Sequence, residues 1–372
     1  MKKTILLLAL VALLPIYIMQ AQQKQKTKKI QIALLLDTSN SMDGLIDQAK
    51  SQLWKIVNEL ASAEYNGETL VLEIALYEYG NDNLSGSEGH IRQLSQLTTD
   101  LDKISEELFA LKTNGGSEYC GWVIDVATKQ LMWTSETDDL KMIFIAGNES
   151  FDQGSVNYKK SCANAIAKGI IVNTIFCGSE NEGKSTFWKD GADLADGKFM
   201  VINQNEVAVS IESPYDDDIL KLNGALNQTY IYYGSVGQSM KTRQEVQDLN
   251  AMEMSKESAV QRSASKASGA YQNARWDLVD AVQNNNKKVE EFNAEELPAE
   301  LKGKNAAEIK AYVEKKAAER EKLKKEISEL NKKREDYVTE ERKKLTQKNT
   351  LDDAMLGAIH ELGKKKGLEF KK

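Results

Sequence analysis

The stretch Ile30–Met42 reads IQIALLLDTSNSM: a nearly all-apolar run ends in Asp37, and hydroxyl-bearing residues follow at short intervals. An apolar run this short, bounded by polar residues, predicts a strand covered on both faces. Downstream, Asp43–Ala61 sets Leu45, Ile46, Ala49, Leu53, Ile56, Val57 and Leu60 at spacings that make one helical face. The pattern then repeats. LVLEIALY (Leu70–Tyr77), KMIFIA (Lys141–Ala146), IIVNTIFC (Ile170–Cys177) and KFMVI (Lys198–Ile202) read as strands. Leu101–Leu111, Tyr119–Met132 and Ser155–Ala167 read as helices between them. Apolar strands alternating with helices imply an α/β fold with a doubly wound, mostly parallel sheet, in which ligands bind at the carboxyl ends of the strands.

Asp37, Ser39 and Ser41 therefore stand where such a fold places chemistry. One carboxylate and two hydroxyls in a tight loop form a hard-oxygen donor set with little charge, which suits Mg²⁺ with waters retained. The same residue types also serve as helix caps, because Asp and Ser side chains accept backbone N–H groups at a helix start. The position at the end of the first strand favours the metal.

In the motif LLLDTSNSM the chain resembles the von Willebrand factor A (vWA) family, and the resemblance extends over Ile30–Ser213. It implies a Rossmann-like sheet and a metal-ion-dependent adhesion site that holds Mg²⁺, Mn²⁺ or Ca²⁺ through side chains of three loops. Asp37, Ser39 and Ser41 fall on the first-loop ligands. Ser117, in TNGGSE, falls on the second-loop hydroxyl, with Thr113 as a nearby alternative. The third loop departs from the family: the usual aspartate position is Gly147, so Glu149 is expected to reach the ion directly or through water, and the ion to be held less tightly. The phrases YEYGNDNLS, GGSEYCGWVID, IFIAGNESFDQG and VNTIFCGSENEG resemble secreted bacterial proteins with this domain. The resemblance implies a binding or adhesion module, not an enzyme, whose ion captures an acidic group of a protein partner.

A different chemistry is suggested by Gly178–Ser185, GSENEGKS, which satisfies the phosphate-loop pattern after a predicted strand. Glu180 and Glu182 would place two carboxylates against a triphosphate, and no later apolar strand ends in the aspartate a nucleotide-bound metal needs. Asp216-Asp217-Asp218 reads as the acidic first turn of a helix. His90 and His360 have no partnered nucleophile at a recognisable spacing and read as exposed side chains.

The outer parts of the chain set its context. Met1–Ala21 has the basic, apolar and small-residue segments of a secretory signal, and residues 22–29 form a polar linker. No later segment is apolar enough to span a membrane. Export to the periplasm, cell surface or medium of a bacterium is expected. The 372 residues divide into the α/β unit at 30–213, a packing extension at 214–243 and a helical region at 244–372. A net charge of −7 argues against nucleic acid as a partner. The cysteines, Cys120, Cys162 and Cys177, leave at least one thiol unpaired. In the last region Asn305–Leu345 reads as the longest helix. Its apolar seam of Ile309, Val313, Leu323, Ile327, Leu330, Tyr337 and Val338 is interrupted by Lys316, Arg320 and Arg334. Those charges predict an antiparallel hairpin or bundle with Asp277–Val289 over a two-stranded coiled coil, with a homo-oligomer through this helix as the alternative. If the metal site is degenerate, the chain reads instead as a periplasmic scaffold acting through these helices. The basic end, from Gly363 to Lys372, reads as a solvated terminus.

Overall fold

The computed structural model describes residues 27–205, 210–284, 287–344 and 350–370, so the signal segment and most of the linker lie outside the described residues. The strands are β1 (Lys29–Asp37), β2 (Ala63–Tyr65), β3 (Glu68–Thr69), β4 (Val71–Tyr79), β5 (Ile91–Thr98), β6 (Leu140–Gly147), β7 (Ile170–Cys177), β8 (Phe199–Ile202) and β9 (Glu369–Phe370). Six of them form the main sheet in the order β5-β4-β1-β6-β7-β8. All its pairings are parallel except that of β5 with β4. The helices of this part are α1 (Asp43–Ala61), α2 (Leu101–Ala110), α3 (Cys120–Gln130), α4 (Tyr158–Ala167), α5 (Glu180–Ser185) and α6 (Trp188–Asp193).

β1 lies in the middle, and its side chains alternate between two cores. Ile30, Ile32, Leu34 and Leu36 pack toward α1 and α2. Ala33 and Leu35 pack toward α3, α4 and α6. The helix after β1 thus covers one face and the helix after β6 the other, which opens a crevice between the carboxyl ends of these neighbouring strands. Strand β5 has no counterpart in the sequence reading. Its apolar residues Ile91, Leu94 and Leu97 come every third position, and register shifts against β4 disturb the ladder. An edge strand of this kind shows no two-residue period.

The helical region continues as α7 (Asp216–Asn227), α8 (Gly237–Met254), α9 (Lys256–Ala267), α10 (Leu278–Gln283), α11 (Ala306–Arg342) and α12 (Leu351–Lys365). Helices α9 and α12 lie on α1, and α8 lies on α2. Consequently α1 is covered on the side away from the sheet as well, and Gln48, Gln52 and Trp54 are buried along with its apolar face. Gln48 and Gln52, four residues apart on that side, accept the N–H groups of Leu351 (3.1 Å) and Asp352 (2.7 Å) at the start of α12. These groups have no partner within α12, so α1 caps it from outside.

Buried charge joins the two regions. Arg262 of α9 is 1% exposed; it donates to Asp102 of α2 at 2.7 Å and to Asp248 of α8 at 2.5 Å, and its guanidinium lies 4.6 Å from the Trp54 ring. Tyr271 donates its hydroxyl to the second oxygen of Asp102. Lys266 also reaches Asp248. Burial opposes the ionisation of Asp248, but Lys266 and Arg262 outweigh it and hold the carboxyl well below the usual aspartate range.

The charged residues on the α11 seam have the same explanation. Arg320 donates to Asp277 and Asp280, each at 2.7 Å, and covers the Tyr230 ring at 4.0 Å. Arg334 donates to Asp216 at 3.0 Å. Helix α11 therefore packs in a bundle against α7 and α9 as well as α10, and Asp216 both opens α7 and pairs inside the protein. The chain end also differs from the expectation of a solvated terminus: Lys364, Lys365 and Lys366 are exposed, but β9 pairs with β2, and Phe370 lies against His360. The three cysteines are buried and unpaired.

Removing Arg262 would leave the buried Asp102 carboxyl without its cationic partner and Asp248 with Lys266 alone. Arg262→Ala is expected to lower the unfolding free energy by about 3–5 kcal/mol in a urea titration. The loss should shrink with acidification: the Asp248 contribution is complete above the ordinary aspartate pKa and is lost as pH falls through its lower folded value.

Candidate functional site

Three loops meet at the carboxyl ends of β1 and β6. The first follows β1 directly: Ser39 donates its N–H to Asp37 Oδ1 at 2.8 Å, and the Ser39 and Ser41 hydroxyls are 3.3 Å apart. The second, Lys112–Tyr119, is laced to the first through its backbone. Asn40 N–H donates to the Gly115 carbonyl and Asn114 N–H to the Thr38 carbonyl, each at 2.9 Å. The third loop follows β6, and Asn148 amide nitrogen donates to Ser41 Oγ at 3.1 Å. Asp37, Ser39 and Ser41 are thus brought together as the strand-loop-helix pattern predicts.

Ser117 is half-buried, and its backbone bridges to Gly80, a residue that faces Asp37. Thr113 turns away and donates to Asp43. Glu149 enters by its backbone: its N–H supports the Glu118 carboxylate, its carbonyl accepts Trp188 Nε1 at 2.7 Å, and its side chain is exposed.

Two residues outside the sequence reading complete the arrangement. Asn148 is one. Glu118 is the other: it follows Ser117, is 3% exposed, and carries its carboxyl against Asp37 and Ser39. The only local signal for Glu118 was its place beside the predicted hydroxyl, since an acidic residue in a Gly-rich loop ordinarily faces solvent. Gly80, at φ +83°, makes room for the pair; a Cβ there would lie 2.8 Å from both Asp37 Oδ1 and Glu118 Cγ. A side chain at Gly147, at the start of the third loop, is crowded out of the same space. A Cβ on Gly147 would lie 2.6 Å from Tyr79 Oη and 3.0 Å from Asp37 Oδ2. Tyr79 cannot easily yield, because it is fully buried and donates to the Ala146 carbonyl at 3.0 Å.

The electrostatics follow from burial. Asp37 is inaccessible to solvent, and its Oδ2 has no hydrogen-bond partner. Burial first, and the Glu118 charge second, push its carboxyl well above the usual range. Burial likewise raises Glu118. No lysine or arginine among the described residues is within ion-pair distance of either carboxylate. An orphaned carboxylate oxygen beside the Ser39 and Ser41 hydroxyls, which bond to each other, is a donor set that fits a hard divalent cation.

The phosphate-loop alternative has a different geometry. Residues 180–185 form helix α5, Ser179 caps it, and Lys184 is paired with Glu180 at 2.5 Å. The lysine that such a loop directs at phosphates is bound to one of the carboxylates that would repel them.

No protein-family model and no curated protein matches the chain. Among solved structures it is similar to the conserved hypothetical protein BatB from Bacteroides thetaiotaomicron, at 14% identity over 46% of this chain and 90% of that one, with a TM-score of 0.36. It is similar to the VWA domain of SpRpn10 at 15% identity over 47% and 88% of the two chains, TM-score 0.36. It is also similar to proximal thread matrix protein 1 from the mussel byssus, in a form with a zinc-occupied MIDAS motif, at 11% identity over 49% of this chain and 43% of that one, TM-score 0.36. The sheet order, the helices on both faces and the loop at the end of the central strand define the class: a vWA-type, Rossmann-like α/β fold followed by a helical C-terminal region. No helix among the described residues is long and apolar enough to cross a membrane.

With divalent ions chelated, Asp37 destabilises the folded state at neutral pH, because its folded pKa lies above its unfolded one. That penalty is complete above the folded value and is relieved as pH falls through it. Asp37→Asn is therefore expected to melt higher than the wild type at pH 7.5 in chelator, and the difference should diminish toward pH 5. Melting curves across this range check the sign.

Proposed function

We propose that the protein is an exported binding module that presents a divalent cation, Mg²⁺ by preference, at the carboxyl ends of β1 and β6. The observation that carries this reading is the buried, partnerless Oδ2 of Asp37 beside the Ser39 and Ser41 hydroxyls. In this reading Asp37 holds the ion, Ser39, Ser41 and Ser117 contribute hydroxyl oxygens, and Glu149 acts through water. Neutral oxygens leave part of the cation's charge uncompensated, so an open position attracts a carboxylate of a protein partner. Residues 30–213 form the binding unit, 214–243 pack beside it, and 244–372 stiffen it from the α1 side. Residues 1–21 direct export and 22–29 join the two.

The test is a thermal melt after chelation, with Mg²⁺, Mn²⁺ or Ca²⁺ restored. An ion at ~100 times its dissociation constant stabilises by about 2.7 kcal/mol, or several degrees in a protein of this size. Wild type should shift and Asp37→Ala should not. With Mn²⁺ bound, glutarate should reduce the water-proton relaxation enhancement as its carboxylate displaces water from the ion; an unchanged signal would rule out carboxylate capture.

A second reading, a scaffold acting through its helices with a degenerate metal site, is favoured by one observation: Val246, Leu249 and Met252 are 42%, 63% and 46% exposed and lie on one face of α8. It predicts self-association by sedimentation that Leu249→Asp abolishes, together with melts that ignore every ion.

A further inference from the structure

We infer that Glu118 supplies the second carboxylate of the cation site, in the place that the third loop cannot fill. The inference rests on the cation reading above and deepens it. Three observations carry it.

The first is steric. A side chain at Gly147 would collide with Tyr79 Oη and Asp37 Oδ2, so the end of β6 cannot direct a carboxylate at the ion. The Glu149 side chain, two residues further on, is exposed, and the residue touches the site through its N–H. The second is the cradle opposite. Gly80 lacks the Cβ that would press on both Asp37 Oδ1 and Glu118 Cγ, and its left-handed φ of +83° favours glycine. The turn therefore accommodates two carboxyl groups side by side. The third is charge. Asp37 and Glu118 are 0% and 3% exposed, no described lysine or arginine faces them, and Asp37 Oδ2 accepts nothing. Two adjacent buried carboxyl groups without a countercharge can both ionise only at the cost of mutual repulsion and lost hydration. A divalent cation between them removes both costs, and the Ser39 and Ser41 hydroxyls lie beside it as neutral donors.

Glu118 is held for this role by groups that do not titrate. Its N–H donates to Gln153 Oε1 at 2.9 Å, and the Glu149 N–H supports its carboxylate. A site with Asp37 and Glu118 both ligating holds the ion before any partner arrives, and a partner's carboxylate then enters an open position in place of water. Ion affinity then depends on the carboxylate pair rather than on a partner.

The experiment is calorimetric titration of the chelated full-length chain with Mn²⁺, comparing the wild type, Glu118→Gln and Glu149→Gln. Glutamine keeps the shape of Glu118 and can still accept the Glu149 N–H. Glu118→Gln is expected to weaken Mn²⁺ binding at least tenfold, and Glu149→Gln to change it by less than threefold. In chelator, Glu118→Gln should melt no lower than the wild type, while its Mn²⁺-induced shift is lost; a merely structural glutamate would lower the melt and leave that shift in place. Wild-type binding with Glu118→Gln unchanged overturns the role of Glu118 and leaves the cation site standing, with the pair held together by a shared proton. Absence of Mn²⁺ binding in the wild type overturns both.

Discussion

The structure depends on placing a carboxylate at the end of a strand that has no water on either face. β1 lies between two parallel neighbours, with helices above and below, so Asp37 emerges from the sheet into a space enclosed by protein. Its Oδ1 takes the Ser39 N–H, which shapes the loop, and its Oδ2 is left without a partner. The surroundings fit both oxygens: Gly147 brings no Cβ against Oδ2 and Gly80 none against Oδ1, and the Tyr79 hydroxyl, which donates to the Ala146 carbonyl, stands beside Gly147. An unpaired buried carboxylate is costly, and proteins retain one where a ligand or ion completes it.

The helical region contributes to the same problem from the far side. α1 begins a few residues after the loop, and it is fixed between the sheet and the helices α9 and α12. Polar side chains on its outer face, Gln48 and Gln52, cap α12, and Trp54 lies under Arg262. A helix held on both sides keeps the orientation of its N-terminal end, and with it the positions of Ser39 and Ser41. The region is thus joined to the α/β unit through buried contacts and specific ion pairs, Arg262 with Asp102 and Lys55 with Asp352 among them. Such pairs add less net stability than apolar packing, but each arginine demands one geometry of its partners.

The sheet was legible because its strands carry their own signature. A strand buried on both faces is mostly apolar, and β1, β6 and β7 are, despite Gln31, Lys141, Asn173 and Thr174 within them; the helices between them keep a period near 3.6. The first loop was legible for the same reason, since its position follows from the strand before it. β5 was not legible: it is an edge strand with a disturbed ladder, and its apolar residues recur every third position. β2, β3 and β9 were not legible either, because two- and three-residue strands have no period, and β9 finds its partner some three hundred residues away in sequence.

By itself the sequence determined the class of fold and the place of Asp37, Ser39 and Ser41 at the end of its central strand, because burial on two faces and strand–helix alternation are local properties of composition and spacing. It also marked Gly147 as a departure. Only the tertiary structure decided what that departure means, through the distance from β6 to Tyr79 and Asp37, and only it turned Glu118 inward against Asp37. The same holds for the arginines on α11, which read as interruptions of an apolar seam until Asp216, Asp277 and Asp280 meet them inside the protein. Which face a charge turns to depends on a partner far along the chain, and no periodicity within a single segment encodes where that partner lies.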